Sequence, residues 1–133
     1  MGKKQIKFNS YTELFYLHKN YFTPQNKILD TLKINIDEKY AIIRFVSWGA
    51  SHDMGHSGFT NNAKIEIIKE LSQKLKVFIT SESQLPTELV QYKIKIPAEE
   101  LHNALSFASI YIGEGGTTAS ETSILGIPTI YIK

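Results

Sequence analysis

Apolar runs that resemble buried strands alternate with segments of helical periodicity from residue 40 to the end of the chain. Residues 40–46 form a nearly continuous apolar run, as expected of a strand that is buried on both faces. Shorter runs predict four more strands, at residues 76–80, 93–96, 109–112 and 129–132. Between the runs, apolar residues recur every three or four positions, which predicts amphipathic helices that pack on the sheet.

Boundary signals support these helices. Thr60 suits the N-cap of the helix that follows it, and Pro97 suits the first turn of another. A last helix is predicted at residues 119–125. Gly126 favours its termination and Pro128 prevents its continuation.

Strands that alternate with helices are typical of a parallel sheet with right-handed crossovers. We therefore predict the α/β class: a three-layer, Rossmann-like, doubly wound parallel sheet with the common strand order 3-2-1-4-5. The sheet is expected in one domain, residues 39–133. Its expected core consists of apolar strand residues, namely Ile42, Ile43, Val77, Ile79, Ile110, Ile112 and Ile130.

Residues 1–38, which we term the lead-in, differ from this domain. No strand pattern is evident in them, and Pro24 suits the start of one short helix. We expect the lead-in to pack its aromatic rings on the domain or on a partner domain outside this chain. The rings belong to Tyr11, Phe15, Tyr16, Tyr21 and Phe22.

Composition narrows the class of protein. The hydrophobic fraction of 42% and the charged fraction of 21% are ordinary for a globular domain. The net charge of +2 gives no basic footprint for nucleic acid. The absence of cysteine excludes disulfides, thiolate zinc sites and cysteine nucleophiles. With no long apolar run and no signal-peptide pattern, we expect no membrane span and a cytoplasmic location. Because the chain ends on a strand-like segment, we also expect it to be a fragment of a longer protein.

Two glycine-containing loops, residues 49–59 and 113–118, follow the first and fourth predicted strands. In the predicted order these strands are neighbours where the winding reverses, and ligands bind outside the carboxyl ends of strands at that point. We therefore expect one ligand site built from both loops. Glycines allow close backbone approach, and the N-terminus of the following helix stabilises a phosphate.

Glu121 follows the second loop, where its carboxylate suits hydrogen bonds from ribose hydroxyls. Residues 118–121 also fit a capping box, in which Glu121 only satisfies the helix backbone. The residues by themselves leave both interpretations open.

The first loop contains His52, Asp53 and His56. Two imidazoles and a carboxylate suit a divalent metal ion. His52 also suits a general base at a sugar ring, because histidine titrates near neutral pH. The same side chains can instead bond the loop backbone or a phosphate. With no further ligand evident, we predict no metal site and keep it as an alternative.

The chain reads EGGTTASE at residues 114–121 and LGIP at residues 125–128. These two stretches resemble the donor-binding segment of GT-B glycosyltransferases and of UDP-N-acetylglucosamine 2-epimerases. At residues 16–18, 22–24 and 44–53 the chain is more similar to an uncharacterised GT-B-like family that is often labelled lipopolysaccharide-biosynthesis-related. The resemblance covers nearly the whole chain.

This resemblance implies a nucleotide sugar, such as a UDP-sugar, as the ligand. Glu121 would hold the ribose, residues 115–118 the diphosphate, and the turn at residues 96–97 would lie near the base. The histidine-containing first loop departs from the simpler glycine-serine loop of many relatives. The nucleotide-binding residues so implied are Gly49, Ser51, Ile96, Pro97, Gly115, Gly116, Thr117, Thr118 and Glu121.

We therefore predict the nucleotide-sugar-binding domain of a GT-B transferase or epimerase in polysaccharide or lipopolysaccharide biosynthesis, with His52 as the candidate catalytic residue. No cofactor is required, and the expected partner is an N-terminal acceptor-binding domain that this chain lacks. The isolated chain is expected to be inactive. Two alternatives are a non-catalytic binding module of the same fold and a metal-dependent hydrolase that uses the first loop. The sequence makes no prediction of oligomeric state.

Overall fold

The computed structural model describes residue 4, residues 6–47 and residues 58–133. The strands are β1 (Tyr40–Phe45), β2 (Lys76–Ser81), β3 (Ile110–Gly113) and β4 (Thr129–Tyr131). The α-helices are α1 (Leu14–Leu17), α2 (Ile28–Leu32), α3 (Asn61–Ser72), α4 (Leu101–Ser106) and α5 (Gly116–Ile124). Two short 3-10 helices span Thr87–Tyr92 and Ala98–Glu100.

The strands form one parallel sheet with the order β2-β1-β3-β4. This architecture confirms the predicted Rossmann-like α/β class. Among the described residues the sheet has four strands instead of five, so the predicted order 3-2-1-4-5 holds only without its outermost strand. The predicted strand at 93–96 is wrong, because only one parallel bridge, between Ile79 and Lys93, forms there. A hydrogen bond of 2.9 Å from Ile94 N–H to the Ile79 carbonyl extends it. The segment thus lies at the predicted place outside β2, but Pro97 and the 3-10 helix before it leave too short a stretch for a ladder.

The core consists of one apolar cluster on each face of the sheet. Ile42, Ile43 and Ile79 are fully buried in these clusters, as predicted. Ile110 is only half-buried, and Ile130 is 47% exposed, so its placement in the core is wrong. Ile130 belongs to β4, the edge strand, whereas the helix on that face, α3, packs against β2.

The lead-in divides into two parts. Its second helix, α2, buries Ile28, Leu29 and Leu32 in the same cluster as Tyr40 of β1. Most rings of its earlier part are exposed instead, at Phe8, Tyr11, Phe15 and Tyr21. Residues 28–34 therefore contribute to the core of the domain, and residues 6–21 lie largely on its surface.

The predicted helix signals hold at the start of α3 and the end of α5, and Pro97 precedes the 3-10 helix that leads into α4. The prediction that Pro24 starts a helix is wrong, because α2 begins at Ile28 with Lys27 as its N-cap. Thr60 caps α3 by accepting a hydrogen bond from the N–H of Ala63 at 3.2 Å. Gly126 adopts a φ of +79° and ends α5 as predicted. However, α5 begins at Gly116 rather than near 119, with Gly115 as its N-cap. Glu121 consequently lies in the second turn of the helix.

Candidate functional site

The carboxyl ends of β1 and β3 form the centre of the candidate site. These strands are neighbours, and Arg44 pairs with Gly113 in their register. From this pair the chain continues to β2 on one side and to β4 on the other. The winding therefore reverses here, and a crevice is expected outside the strand ends.

Glu114, directly after β3, connects the two loops that leave these strands. Its side chain is buried, and its two oxygens accept backbone hydrogen bonds from Val46 N–H at 3.0 Å and Phe59 N–H at 2.6 Å. Val46 is the first residue of the connection between β1 and α3, and Phe59 directly precedes Thr60, the N-cap of α3. Glu114 thus holds both ends of the first loop next to the second.

Arg44 also stabilises the region where the two loops leave the sheet. Its guanidinium donates to the Glu82 carboxylate at 2.7 Å, and the other oxygen of Glu82 accepts the Ser47 N–H at 3.3 Å. A Cβ atom at Gly115 would lie 3.1 Å from Arg44 Nε. Because Gly115 has an extended φ of −85°, this close approach, rather than an unusual backbone conformation, favours glycine there.

The N-terminus of α5 opens onto this crevice without a side-chain cap. The first regular helix bond runs from Ala119 N–H to the Gly115 carbonyl at 3.0 Å. The amides of Gly116, Thr117 and Thr118 therefore find no acceptor among the described residues. Gly116 and Thr117 are exposed, whereas Thr118 is buried. Toward the described part of the chain, this helix end offers unpaired N–H groups and the positive end of a helix dipole.

Glu121 turns its carboxylate away from the helix backbone. Its Oε1 atom accepts a hydrogen bond from the Tyr16 hydroxyl at 2.8 Å and lies 3.0 Å from His102 Nε2. The capping-box interpretation is therefore wrong, because Thr118 lies inside the helix rather than at its N-cap. Partial burial and the hydrogen bond with Glu121 raise the pKa of Tyr16 to about 12, so the phenol remains a donor at neutral pH.

A groove of about 670 Å³ runs along the outer side of α5. Its floor is made of small residues, and an exposed tyrosine ring borders it from the lead-in and another from β4. The lining residues are Tyr11, Gly116, Ala119, Ser120, Ser123, Ile124, Thr129 and Tyr131.

The predicted site residues fall into three groups. The structure brings residues 115–118 and Glu121 together on the first two turns of α5. The turn at Ile96–Pro97 leads into α4, which carries His102 beside Glu121. The remaining predictions lie outside the described residues, and they are Gly49, Ser51, His52, Asp53 and His56.

The sequence alone predicted no functional role for Glu114 or for His102. For Glu114, one signal was present, since an acidic residue directly follows a buried strand at the reversal point. His102 gave no comparable signal. Within residues 4, 6–47 and 58–133, no group of three His, Cys, Asp or Glu side chains is arranged to hold a metal ion. In the same ranges, no helix has the length and apolar character needed to cross a membrane.

The chain belongs to the family described as "Protein of unknown function (DUF354)", whose family model matches residues 2–132. The match includes both the lead-in and the sheet domain. It agrees with the expected membership of an uncharacterised family, and its description names no activity or ligand. No curated protein and no solved structure matches the chain.

Proposed function

We propose, starting from membership of this family, that the chain binds the nucleotide part of a nucleotide sugar at the N-terminus of α5. It would act as the donor-binding half of a GT-B-type glycosyltransferase or sugar epimerase. The observation that carries the proposal is the uncapped start of α5 at the point where the sheet reverses its winding.

The diphosphate would bind the amides of residues 116–118. Free N–H groups and the positive end of the helix dipole both stabilise an anion at this place. The side chain of Glu114 does not oppose this, because its oxygens are buried and accept hydrogen bonds from Val46 and Phe59. In a transferase, the same donors would stabilise the diphosphate as it leaves the sugar.

The ribose would bind at Glu121. Gly116 and Glu121 are separated by about 7.5 Å along the helix axis, which is comparable to the separation between the diphosphate and the ribose hydroxyls of an extended nucleotide. The groove beside α5 includes Gly116 in its lining, and its volume falls in the range of small-molecule sites, so it leaves room for a ligand at the start of the helix. His52, Gly49 and Ser51 would complete the site from the first loop.

Calorimetric titration with UDP and UDP-sugars tests the proposal. We expect weak binding by wild type and a loss of about 1–2 kcal/mol in Glu121→Gln, the scale of a charge-assisted hydrogen bond. Glu70→Gln, at an exposed position of α3, is the matched control and should bind like wild type. Equal affinities for wild type and Glu121→Gln would exclude the ribose role, and no binding by wild type would exclude the nucleotide site.

We further expect no sugar transfer or epimerisation by this chain alone, because GT-B sites close between two domains. Product formation by the isolated chain in a coupled assay would contradict the two-domain part of the proposal. A non-catalytic interaction module of the same fold is the second candidate. Four exposed aromatic rings favour this candidate, at Phe8, Tyr11, Phe15 and Tyr21. The absence of a binding signal in the UDP titration would support it.

A further inference from the structure

Tyr16, His102 and Glu121 form a polar cluster that joins three separate elements. Tyr16 lies on α1, His102 on α4 and Glu121 on α5. Tyr16 and Glu121 are 105 positions apart in the chain, and their hydrogen bond is partly buried. The cluster therefore exists only when the lead-in is docked on the sheet domain.

The imidazole of His102 contacts two aromatic rings of the lead-in. The Tyr16 ring centroid lies 5.6 Å from that of His102, and the Phe22 ring meets the imidazole edge-on at 6.2 Å. Such contacts restrict the rotamers of all three side chains. His102 is thereby oriented with Nε2 toward the Glu121 carboxylate.

Both contacts of the Glu121 carboxylate use the same oxygen, Oε1. None of the hydrogen bonds among the described residues uses Oε2. The side chain has only 10% of its surface exposed. The Tyr16 hydrogen bond and the His102 contact on one oxygen therefore fix the orientation of the carboxylate and leave its second oxygen to accept a further hydrogen bond.

We propose that Tyr16 and His102 are positioning residues for ribose recognition: they hold Oε1 of Glu121 so that Oε2 accepts a ribose hydroxyl. This inference rests on the proposed function. A carboxylate fixed in advance loses less conformational entropy when the ligand binds, so the discrimination between hydroxyl and hydrogen at the ribose increases.

The lead-in is thereby part of the proposed binding site. Tyr11 borders the groove on one side of α5, and Tyr16 bonds Glu121 beside α4. Helix α1, which carries Tyr16, contacts α5. A nucleotide at α5 would meet the sheet domain and the lead-in together.

The experiment compares the affinities of UDP, 2′-deoxy-UDP and 3′-deoxy-UDP for wild type, Tyr16→Phe, His102→Phe and Tyr21→Phe. Tyr16→Phe removes the hydrogen-bond donor to Glu121, His102→Phe removes the imidazole contact with it, and both variants keep an aromatic ring. Tyr21 is 77% exposed and contacts His18 rather than Glu121, so Tyr21→Phe is the matched control. Circular dichroism and thermal melts establish that each variant folds.

Wild type should prefer UDP to at least one deoxy analogue. In Tyr16→Phe and His102→Phe this preference should fall by about two- to tenfold, the range expected for one hydrogen bond. Tyr21→Phe should keep it. An unchanged preference in the two folded variants would overturn the positioning role and leave the proposed function intact. No UDP binding by wild type would overturn both.

Discussion

The segment from Gly113 to Glu121 consists of two parts with different surroundings. The strand-end part, residues 113–115, is enclosed by protein: Glu114 is buried, and a Cβ at Gly113 would overlap the Tyr111 hydroxyl. The helix part, residues 116–121, begins at the solvent-exposed surface. A Cβ at Gly116 would have nothing nearer than the Tyr131 hydroxyl at 3.6 Å.

The two acidic residues differ in the same way. Glu114 accepts backbone amides, which cannot leave without unfolding the loop ends. Glu121 accepts a hydrogen bond from the Tyr16 side chain and contacts His102 through Oε1, while its Oε2 atom accepts no hydrogen bond from the described residues. The segment from Gly113 to Glu121 therefore contains a structural part, with Glu114, and a part that remains available for binding, with Glu121. The following predictions test that division.

The largest difference is expected between the first and last glycines of the loop. Gly113→Ala should lower the free energy of unfolding by about 3 kcal/mol, because the fully buried Tyr111 ring has no room to move. Gly116→Ala should change it by less than about 0.5 kcal/mol. Urea unfolding of both variants measures this. Equal destabilisation would show that the helix part is as tightly enclosed as the strand end.

A smaller difference is expected between the two carboxylates. Glu114→Gln should cost about 2 kcal/mol, because the amide NH2 group would face one of the two backbone donors and leave it unpaired. Glu121→Gln should cost less than about 0.5 kcal/mol, since the remaining carbonyl oxygen can still accept from the Tyr16 hydroxyl and contact His102. If urea unfolding showed a larger loss of unfolding free energy for Glu121→Gln than for Glu114→Gln, the comparison between the two carboxylates would be reversed.

The smallest effect concerns pH. The pKa of Tyr16 is raised from 10.0 to about 12 by burial and by its hydrogen bond with Glu121. The protonated phenol is therefore favoured in the folded state, and its contribution is full below pH 10 and lost as the pH rises through about 12. That contribution should be below about 1 kcal/mol, because Tyr16 is 42% exposed.

The stability difference between wild type and Tyr16→Phe should accordingly shrink between about pH 10 and about pH 12. The difference between wild type and Glu114→Gln should stay constant over this range, since backbone amides do not titrate there. Melting curves at several pH values measure both. A Tyr16→Phe difference that does not change with pH would contradict the hydrogen-bonded phenol.

Much of the fold could be predicted because its signals are local. The Thr60 cap, the Gly126 stop and the apolar run of β1 each depend on residues within one turn or one strand. The errors arose where tertiary position decides. Ile130 has the same residue type as Ile112, yet it is exposed because β4 lies at the edge of the sheet.

The candidate site was predictable in outline only. The predicted topology makes β1 and β3 neighbours, and the structure confirms this. Because the two loops leave these strands at the same edge of the sheet, their proximity was predictable without any side-chain contact. The start of α5 was misplaced, because a glycine N-cap gives a weaker signal than the apparent capping box at residues 118–121. That error changed the interpretation of Glu121.

The sequence by itself determined the parallel α/β class, the reversal point and the glycine loop that opens α5, because periodicity and turn chemistry are read within short stretches of chain. Only the tertiary structure decided which donors meet the two carboxylates. The partners of Glu114 are 55 and 68 positions away, and Tyr16 is 105 positions from Glu121. Contacts over such separations depend on how helices and lead-in pack on the sheet, which no local pattern specifies.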